Sequence, residues 1–283
     1  MALLSVDYFS AALMRTTTFE VILPIDGSDD AFAADHELRF SEGSRPGEPY
    51  PYPRPHAPFP ALFLLHGMTG NHTDWVSSSP IRALAERRGV AVVMPSGYNA
   101  FYLDQPDSHN YYGRFVGEEL VAVARAMFPL SRRRDQTFIG GISMGAYGAL
   151  RNGLLQCETF GSVIGLSTAI ISGGFDQVLA DEPFFLSKPF LESAFGPLDQ
   201  VRGGDKDPAR LAADLVYCDR PRPRVFMACG QADPLLAPGR ELAQRLRDTG
   251  LDVTWREGPG GHDWDFWNAQ LPQALDWLPR AGA

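Results

Sequence analysis

Lysine is almost missing from this chain. Of 25 lysines and arginines, only Lys188 and Lys206 are lysines, and both sit in polar stretches. Neither offers the buried amine that Schiff-base chemistry needs. Cysteine is also scarce. Cys157, Cys218 and Cys229 are odd in number and widely spaced, which excludes a disulfide framework or a zinc-ligand pattern and fits a reducing compartment. No apolar run reaches the roughly eighteen residues of a membrane-spanning helix, so none is expected. The first apolar stretch is broken by Asp7, and Arg15 follows it rather than precedes it, unlike a secretory signal. A cytoplasmic location is the resulting expectation. Positive charge is in deficit, 25 basic against 34 acidic residues for a net charge of −9, so the footprint of a nucleic-acid binder is lacking. The one basic run, Arg132-Arg133-Arg134, ends at Asp135 and reads as a solvated loop.

What is present is an ordinary globular composition over 283 residues, 45% hydrophobic and 21% charged. A chain of this length buries a core without covalent staples, and we read residues 1–283 as one domain. Phe19 to Leu23 alternates and stops at Pro24, a strand pattern. Ser41 to Pro60 is crowded with proline, glycine and tyrosine and reads as a loop. Continuous apolar runs follow at Ala61–Leu65 and Val90–Met94, as expected of strands covered on both faces. Between and after them come helical periods at Ser79–Arg88, Phe115–Met127 and Met144–Leu155. Further strands are expected at Thr137–Ile142, Val163–Ser167, Arg224–Cys229 and Asp252–Arg256, then a helix from about Trp264 to Leu278. The alternation predicts an α/β fold, a mostly parallel sheet with helices on both faces. Residues 170–217 break it with Gly173-Gly174, several prolines and Phe184, Phe185 and Phe190, and read as a small inserted cap.

Chemistry concentrates at Gly141-Ile142-Ser143-Met144-Gly145. A G-x-S-x-G pattern recurs by chance, but here a β-type run precedes it and a small-residue helix follows, the context of a nucleophile elbow. Ser143 would then sit on a tight turn with the helix N-terminus aimed at the reacting centre. A serine hydroxyl needs a base. His262 fits, in Gly258-Pro259-Gly260-Gly261-His262-Asp263-Trp264 directly after the expected last strand. His36, His56 and His109 lie in polar or proline-rich loops without that framing. The orienting acid should fall between nucleophile and base in such chains, which favours Asp233 after the strand at Arg224–Cys229. Asp263 and Asp265 compete but lie too near His262 in sequence for easy geometry. Two backbone donors should face the developing oxyanion, the N–H groups of Met144 and of Met68 in His66-Gly67-Met68-Thr69-Gly70. Trp75, Tyr98, Asn99, Tyr102 and Trp264 lie on loops at carboxyl ends of strands, where ligands bind such sheets. They are the candidate substrate contacts, with ordinary packing the competing explanation.

These motifs together, with Ile22-Leu23-Pro24, Leu64 to Trp75, Gly141 to Ala149 and Gly260 to Trp267, resemble the α/β-hydrolase esterase family that holds esterase D, S-formylglutathione hydrolase and bacterial tributyrin esterases. Phe9-Ser10-Ala11-Ala12-Leu13-Met14-Arg15-Thr16-Thr17 looks like the tributyrin esterase branch, and the likeness runs from near residue 8 to about residue 278. The resemblance implies an α/β-hydrolase fold and a cofactor-free, metal-free serine esterase acting on small-molecule esters of short acyl chains. It also implies Ser143, Asp233 and His262 as triad and Met68 and Met144 as oxyanion donors. It leaves a homo-oligomer open. Ala146 departs from it, standing where glycine is common. An acyltransferase or a thioesterase of the S-formylglutathione type would use the same triad. A non-catalytic binding module would have lost the serine, the histidine or the elbow glycines, and all are present. The histidines and acids show no metal-ligand spacing.

Overall fold

The structure, a computed structural model, describes residues 1–25, 55–169 and 187–280. Its centre is an eight-stranded sheet. An antiparallel hairpin of β1 (Ala2–Ser10) and β2 (Arg15–Leu23) forms one edge, and β2 pairs antiparallel with β4 (Ala91–Pro95). All other pairings in this sheet are parallel. β3 (Ala61–Leu65) lies between β4 and β7 (Thr137–Ile142), and β8 (Ser162–Leu166), β9 (Arg224–Gly230) and β10 (Val253–Gly258) continue to the far edge. A two-stranded ribbon of β5 (Asp104–Gln105) and β6 (Asn110–Tyr111) stands apart. The strand order β1-β2-β4-β3-β7-β8-β9-β10 reverses direction at β3, beside β7. Ligands bind open parallel sheets at such a reversal, beyond the carboxyl ends of the strands.

The apolar runs are continuous because each strand feeds two cores. In β3, Phe63 and Leu65 join one cluster and Leu62 and Leu64 the other, the period of two set by the pleat. The first cluster takes α4 (Leu120–Met127), α5 (Met144–Leu155), α7 (Pro208–Tyr217) and α8 (Leu236–Asp248) through Leu120, Tyr147, Leu150, Leu215 and Leu242. The opposite face is covered by α1 (Asp74–Ser78), α2 (Ile81–Arg88) and α9 (Trp264–Trp277), through Trp75, Leu84, Leu271 and Leu275. This is the α/β-hydrolase architecture.

Two regions go beyond the sequence pattern. The N-terminal residues form β1, whose buried side carries Leu4, Val6 and Tyr8 while Leu3 and Phe9 face outward. Those two exposed apolar residues blur the alternation that would mark a strand. The helix expected over Phe115–Met127 begins earlier, as α3 (Tyr112–Arg114), and widens into a π-helical turn at Phe115–Glu119 before α4. The wider turn carries Glu119, whose carboxylate accepts from Ala11 N, Ala12 N and Ser10 Oγ at 3.0, 2.7 and 3.1 Å. One acidic side chain thereby ties the hairpin turn to the body of the molecule.

The segment 170–217, expected as a cap, is described only from residue 187 onward. There α6 (Lys188–Phe195) seats Phe195 against Phe101 and Tyr147. α7 packs on α5 and α8 as the crossover helix between β8 and β9, capped by the buried Asp207. Residues 170–186, and residues 41–54 of the proline-rich loop, lie outside the described residues.

Glu119→Ala removes three hydrogen bonds to a charged acceptor and strands two backbone donors at the hairpin turn. The expected loss is about 1–3 kcal/mol, read as a lower denaturant midpoint with an unchanged slope. A midpoint equal to wild type would show that the hairpin is held by its apolar contacts alone.

Candidate active site

Ser143 follows β7 and precedes α5 with φ +51° and ψ −117°, a backbone region that L-residues rarely occupy. The turn is possible because its flanks have no side chains. A Cβ on Gly141 would stand 2.5 Å from the Gly145 carbonyl carbon, and one on Gly145 would stand 2.4 Å from the Leu65 carbonyl oxygen. Ser143 N–H donates to Leu166 O at 2.9 Å and Ser143 O accepts from Ala169 N at 3.1 Å, so the strained residue is held from the β8 side.

His262 comes from the loop between β10 and α9. Its Nε2 lies 2.9 Å from Ser143 Oγ and its Nδ1 lies 3.0 Å from Asp233 Oδ2. Asp233, in the turn after β9, has a fully buried carboxylate, while the His262 ring keeps about a third of its surface in solvent. Burial pushes the Asp233 carboxyl up, but hydrogen bonds from His262, Ser167 and the Leu235 N–H outweigh it and hold the group below its ordinary range. It therefore stays ionised beside the imidazole, which orients the ring and fixes the Nδ1–H tautomer. The competing Asp263 is otherwise engaged. It caps α9, accepting from Phe266 N at 2.9 Å and from Gly261 N at 3.2 Å.

The N–H of Met68 has no hydrogen-bond acceptor among the described residues. That of Met144, as the first residue of α5, has no carbonyl four residues back within the helix. β3 and β7 pair directly, Leu65 opposite Gly141, which brings the loop carrying Met68 beside the elbow. Met144 is fully buried in the core.

Two of the candidate substrate contacts lie inside the fold. Trp75 and Tyr102 are almost wholly buried. The Trp75 indole donates to Leu65 O at 3.1 Å and the Tyr102 hydroxyl donates to His66 O at 3.1 Å. Both bonds hold the chain leading into the loop that carries Met68. Asn99 is exposed and its Oδ1 accepts from Thr69 N at 2.8 Å, which fixes the same loop from outside. Tyr98 is exposed and stacks with Arg15, and half-buried Trp264 meets Trp75 and Trp267 edge to face. Those two remain on the surface side.

Sequence reasoning missed the side chain of His66. It is fully buried, its Nδ1–H donates to Gly67 O at 2.6 Å, and its Nε2 accepts from Gly97 N at 2.8 Å. Both nitrogens are thus spent on backbone, one on each of two loops. Burial lowers its pKa below the ordinary 6.5, so the neutral ring belongs to the folded state. The direction gives a sign. A base held neutral by folding contributes stability above the unfolded value and loses it as pH falls through the folded one. Wild-type stability is expected to decline below about pH 6.5, by at most about 1.4 kcal/mol per pH unit for this one proton. His66→Gln offers a donor and an acceptor without titrating, so its stability curve should be flatter over that interval. Identical slopes in denaturant melts from about pH 7 to about pH 5 would remove His66 from this role.

Comparison with known proteins agrees with this geometry. Residues 47–278 match the family described as "Putative esterase". The chain is 38% identical over 281 residues to an acetyl esterase of Caldicellulosiruptor saccharolyticus, covering 99% of each. Among solved structures it resembles a fluorophosphonate-binding serine hydrolase of Staphylococcus aureus, with 27% identity, a TM-score of 0.78 and 98% of each chain covered. An S-formylglutathione hydrolase of the same organism gives 26%, 0.77 and 98% of each. The chain belongs to this esterase family, as a serine esterase of the α/β-hydrolase fold.

Proposed function

We propose that the protein hydrolyses esters of short acyl chains through an acyl-enzyme formed on Ser143, with His262 as base and Asp233 as its orienting acid. The observation that carries this reading is the unbroken line from Ser143 Oγ to His262 Nε2 at 2.9 Å and from His262 Nδ1 to Asp233 Oδ2 at 3.0 Å. His262 takes the hydroxyl proton as Oγ attacks the carbonyl carbon. The oxyanion that forms accepts from the N–H groups of Met68 and Met144, and Asp233 stabilises the imidazolium. Collapse of the tetrahedral intermediate breaks the bond to the alcohol, which leaves with the proton from His262. Water then enters on the same base and releases the acid.

Short acyl chains are favoured by the likeness to an acetyl esterase along the whole chain. The likeness to an S-formylglutathione hydrolase supports a second substrate class, thioesters of equally small acyl groups, on the same residues. The two differ only in the leaving atom.

Hydrolysis of p-nitrophenyl acetate, butyrate and octanoate by wild type and by Ser143→Ala tests the proposal. Acetate and butyrate should turn over faster than octanoate, and the alanine variant should lose at least about ten-thousand-fold in kcat. Full activity in the variant would remove Ser143 from the mechanism. A preference for octanoate would refute the short-chain assignment, and S-formylglutathione tested beside acetate ranks the two leaving groups.

A further inference from the structure

The line from Ser143 does not stop at Asp233. Ser167 follows β8 at φ +52°, a left-handed conformation for a residue with a Cβ, and is fully buried. Its N–H donates to Ala228 O at 2.8 Å, which holds it against β9. Its hydroxyl accepts from the indole N–H of Trp267 at 3.0 Å, and as a side-chain hydrogen-bond partner it draws the Asp233 carboxyl down. The indole nitrogen can only donate. The oxygen of Ser167 is therefore committed as an acceptor on that side, and its single proton must go elsewhere. The candidates are the Asp233 carboxylate and the Cys229 sulfur. Burial, then the neighbouring Asp233, pushes the Cys229 thiol up to about 12, so it stays protonated and is itself a donor toward Asp233. The carboxylate is the stronger acceptor and takes the Ser167 proton. Trp267 also stands edge-on to His262, with ring centroids 5.2 Å apart, so one indole touches the base and the partner of its acid.

We infer that Ser167 is a positioning residue of the reaction, with its buried hydroxyl, oriented by Trp267, completing the donor set that holds Asp233 ionised and aimed at His262. A rare backbone conformation persists only where surrounding structure over-determines it, and such residues cluster at functional sites. Here it aims Oγ at the carboxylate. The groups facing Asp233 are then His262, the Leu235 N–H, Ser167 and the Cys229 thiol.

The inference rests on the triad proposed above, and the test separates the two. Ser167→Gly removes the hydroxyl while suiting the positive φ, so the backbone conformation carries no new penalty. We expect kcat on p-nitrophenyl acetate to fall about tenfold to a hundredfold, the loss of one hydrogen bond to a charged group, with KM changed less than about threefold. Asp233, no longer held toward His262, supports the imidazolium less, so the acid limb of the kcat/KM profile should move to lower pH. A donor that tuned the carboxylate's charge without positioning it would leave more negative charge for the imidazolium and move the limb the other way. On an Asp233→Asn background the same substitution should cost no more than about twofold, because the two residues act as one unit. Ser167→Ala, which keeps the Cβ, repeats every measurement if the glycine variant does not fold. Wild-type kcat in the hydroxyl-free variants, an acid limb shifted to higher pH, or an undiminished loss on the Asp233→Asn background would each overturn the inference. If Asp233→Asn alone keeps wild-type activity, the triad itself fails and this inference with it. If Asp233→Asn is crippled while Ser167→Gly is fully active, only the role of Ser167 is lost.

Discussion

The site depends on one close approach of backbone to backbone, that of the turn around Ser143 to the end of β3. Gly145 leaves its α-carbon bare where a Cβ would stand 2.4 Å from Leu65 O and 2.5 Å from His66 O, and Gly141 is bare on the other side. No rotamer change could relieve those contacts, because the atoms met are main chain. This proximity sets the start of α5 beside the loop that carries Met68, and on the proposed mechanism the N–H groups of Met144 and Met68 serve one oxyanion. A hydrolase needs that convergence before it needs any particular acyl pocket, since the donors act on charge that appears only in the transition state.

The loop bearing Met68 is held by side chains that spend their polar atoms on its carbonyls and N–H groups. Trp75, Tyr102, His66 and Asn99 together engage Leu65, His66, Gly67 and Thr69. The net gain from each such bond is about 1 kcal/mol, but a buried partner left unsatisfied costs about 1–3 kcal/mol. A set of neutral bonds, three of them buried, therefore defines one loop geometry sharply without adding much to overall stability. Rigid donors are what electrostatic stabilisation of an oxyanion requires.

Much of this was legible in sequence, and the rest was hidden for identifiable reasons. The parallel strands announced themselves because burial on both faces leaves no polar positions, as in Ala61–Leu65 and Ala91–Pro95. The helix Met144–Leu155 has the bounds its periodicity predicted. Ser143 and His262 stood out by their glycine framing, and chain order singled out Asp233 over Asp263, which the structure uses as a helix cap. β1 was obscured by outward Leu3 and Phe9, whose exposure no local pattern encodes. The π-turn at Phe115–Glu119 answers a contact with residues over a hundred positions away, beyond any local period. The burial of Trp75 and Tyr102 was not legible, because an aromatic residue near a strand end looks the same whether its polar tip meets a ligand or a carbonyl. Ser167 gave no signal at all. A serine after a strand looks ordinary until three other segments bring Trp267, Asp233 and Cys229 to it.

The two halves of the site answer opposite physical demands. The donor half must not reorganise, and it is built from backbone on a strained turn and a clamped loop, with Met144 and His66 fully buried. On the proposed mechanism the proton-transfer half changes charge during each cycle, and a charge that appears in a dry cavity is expensive. His262 accordingly sits on a glycine-flanked loop with about a third of its side chain in solvent, while Asp233 behind it is sealed from solvent. Solvent moderates the cost of the imidazolium on one side, and a buried carboxylate already ionised and already hydrogen-bonded supplies the compensating charge on the other. Exposure of the base and burial of its partner thus form a single arrangement. Burying both would strand the imidazolium, and exposing both would let water screen the pair and free the ring to turn away from Ser143.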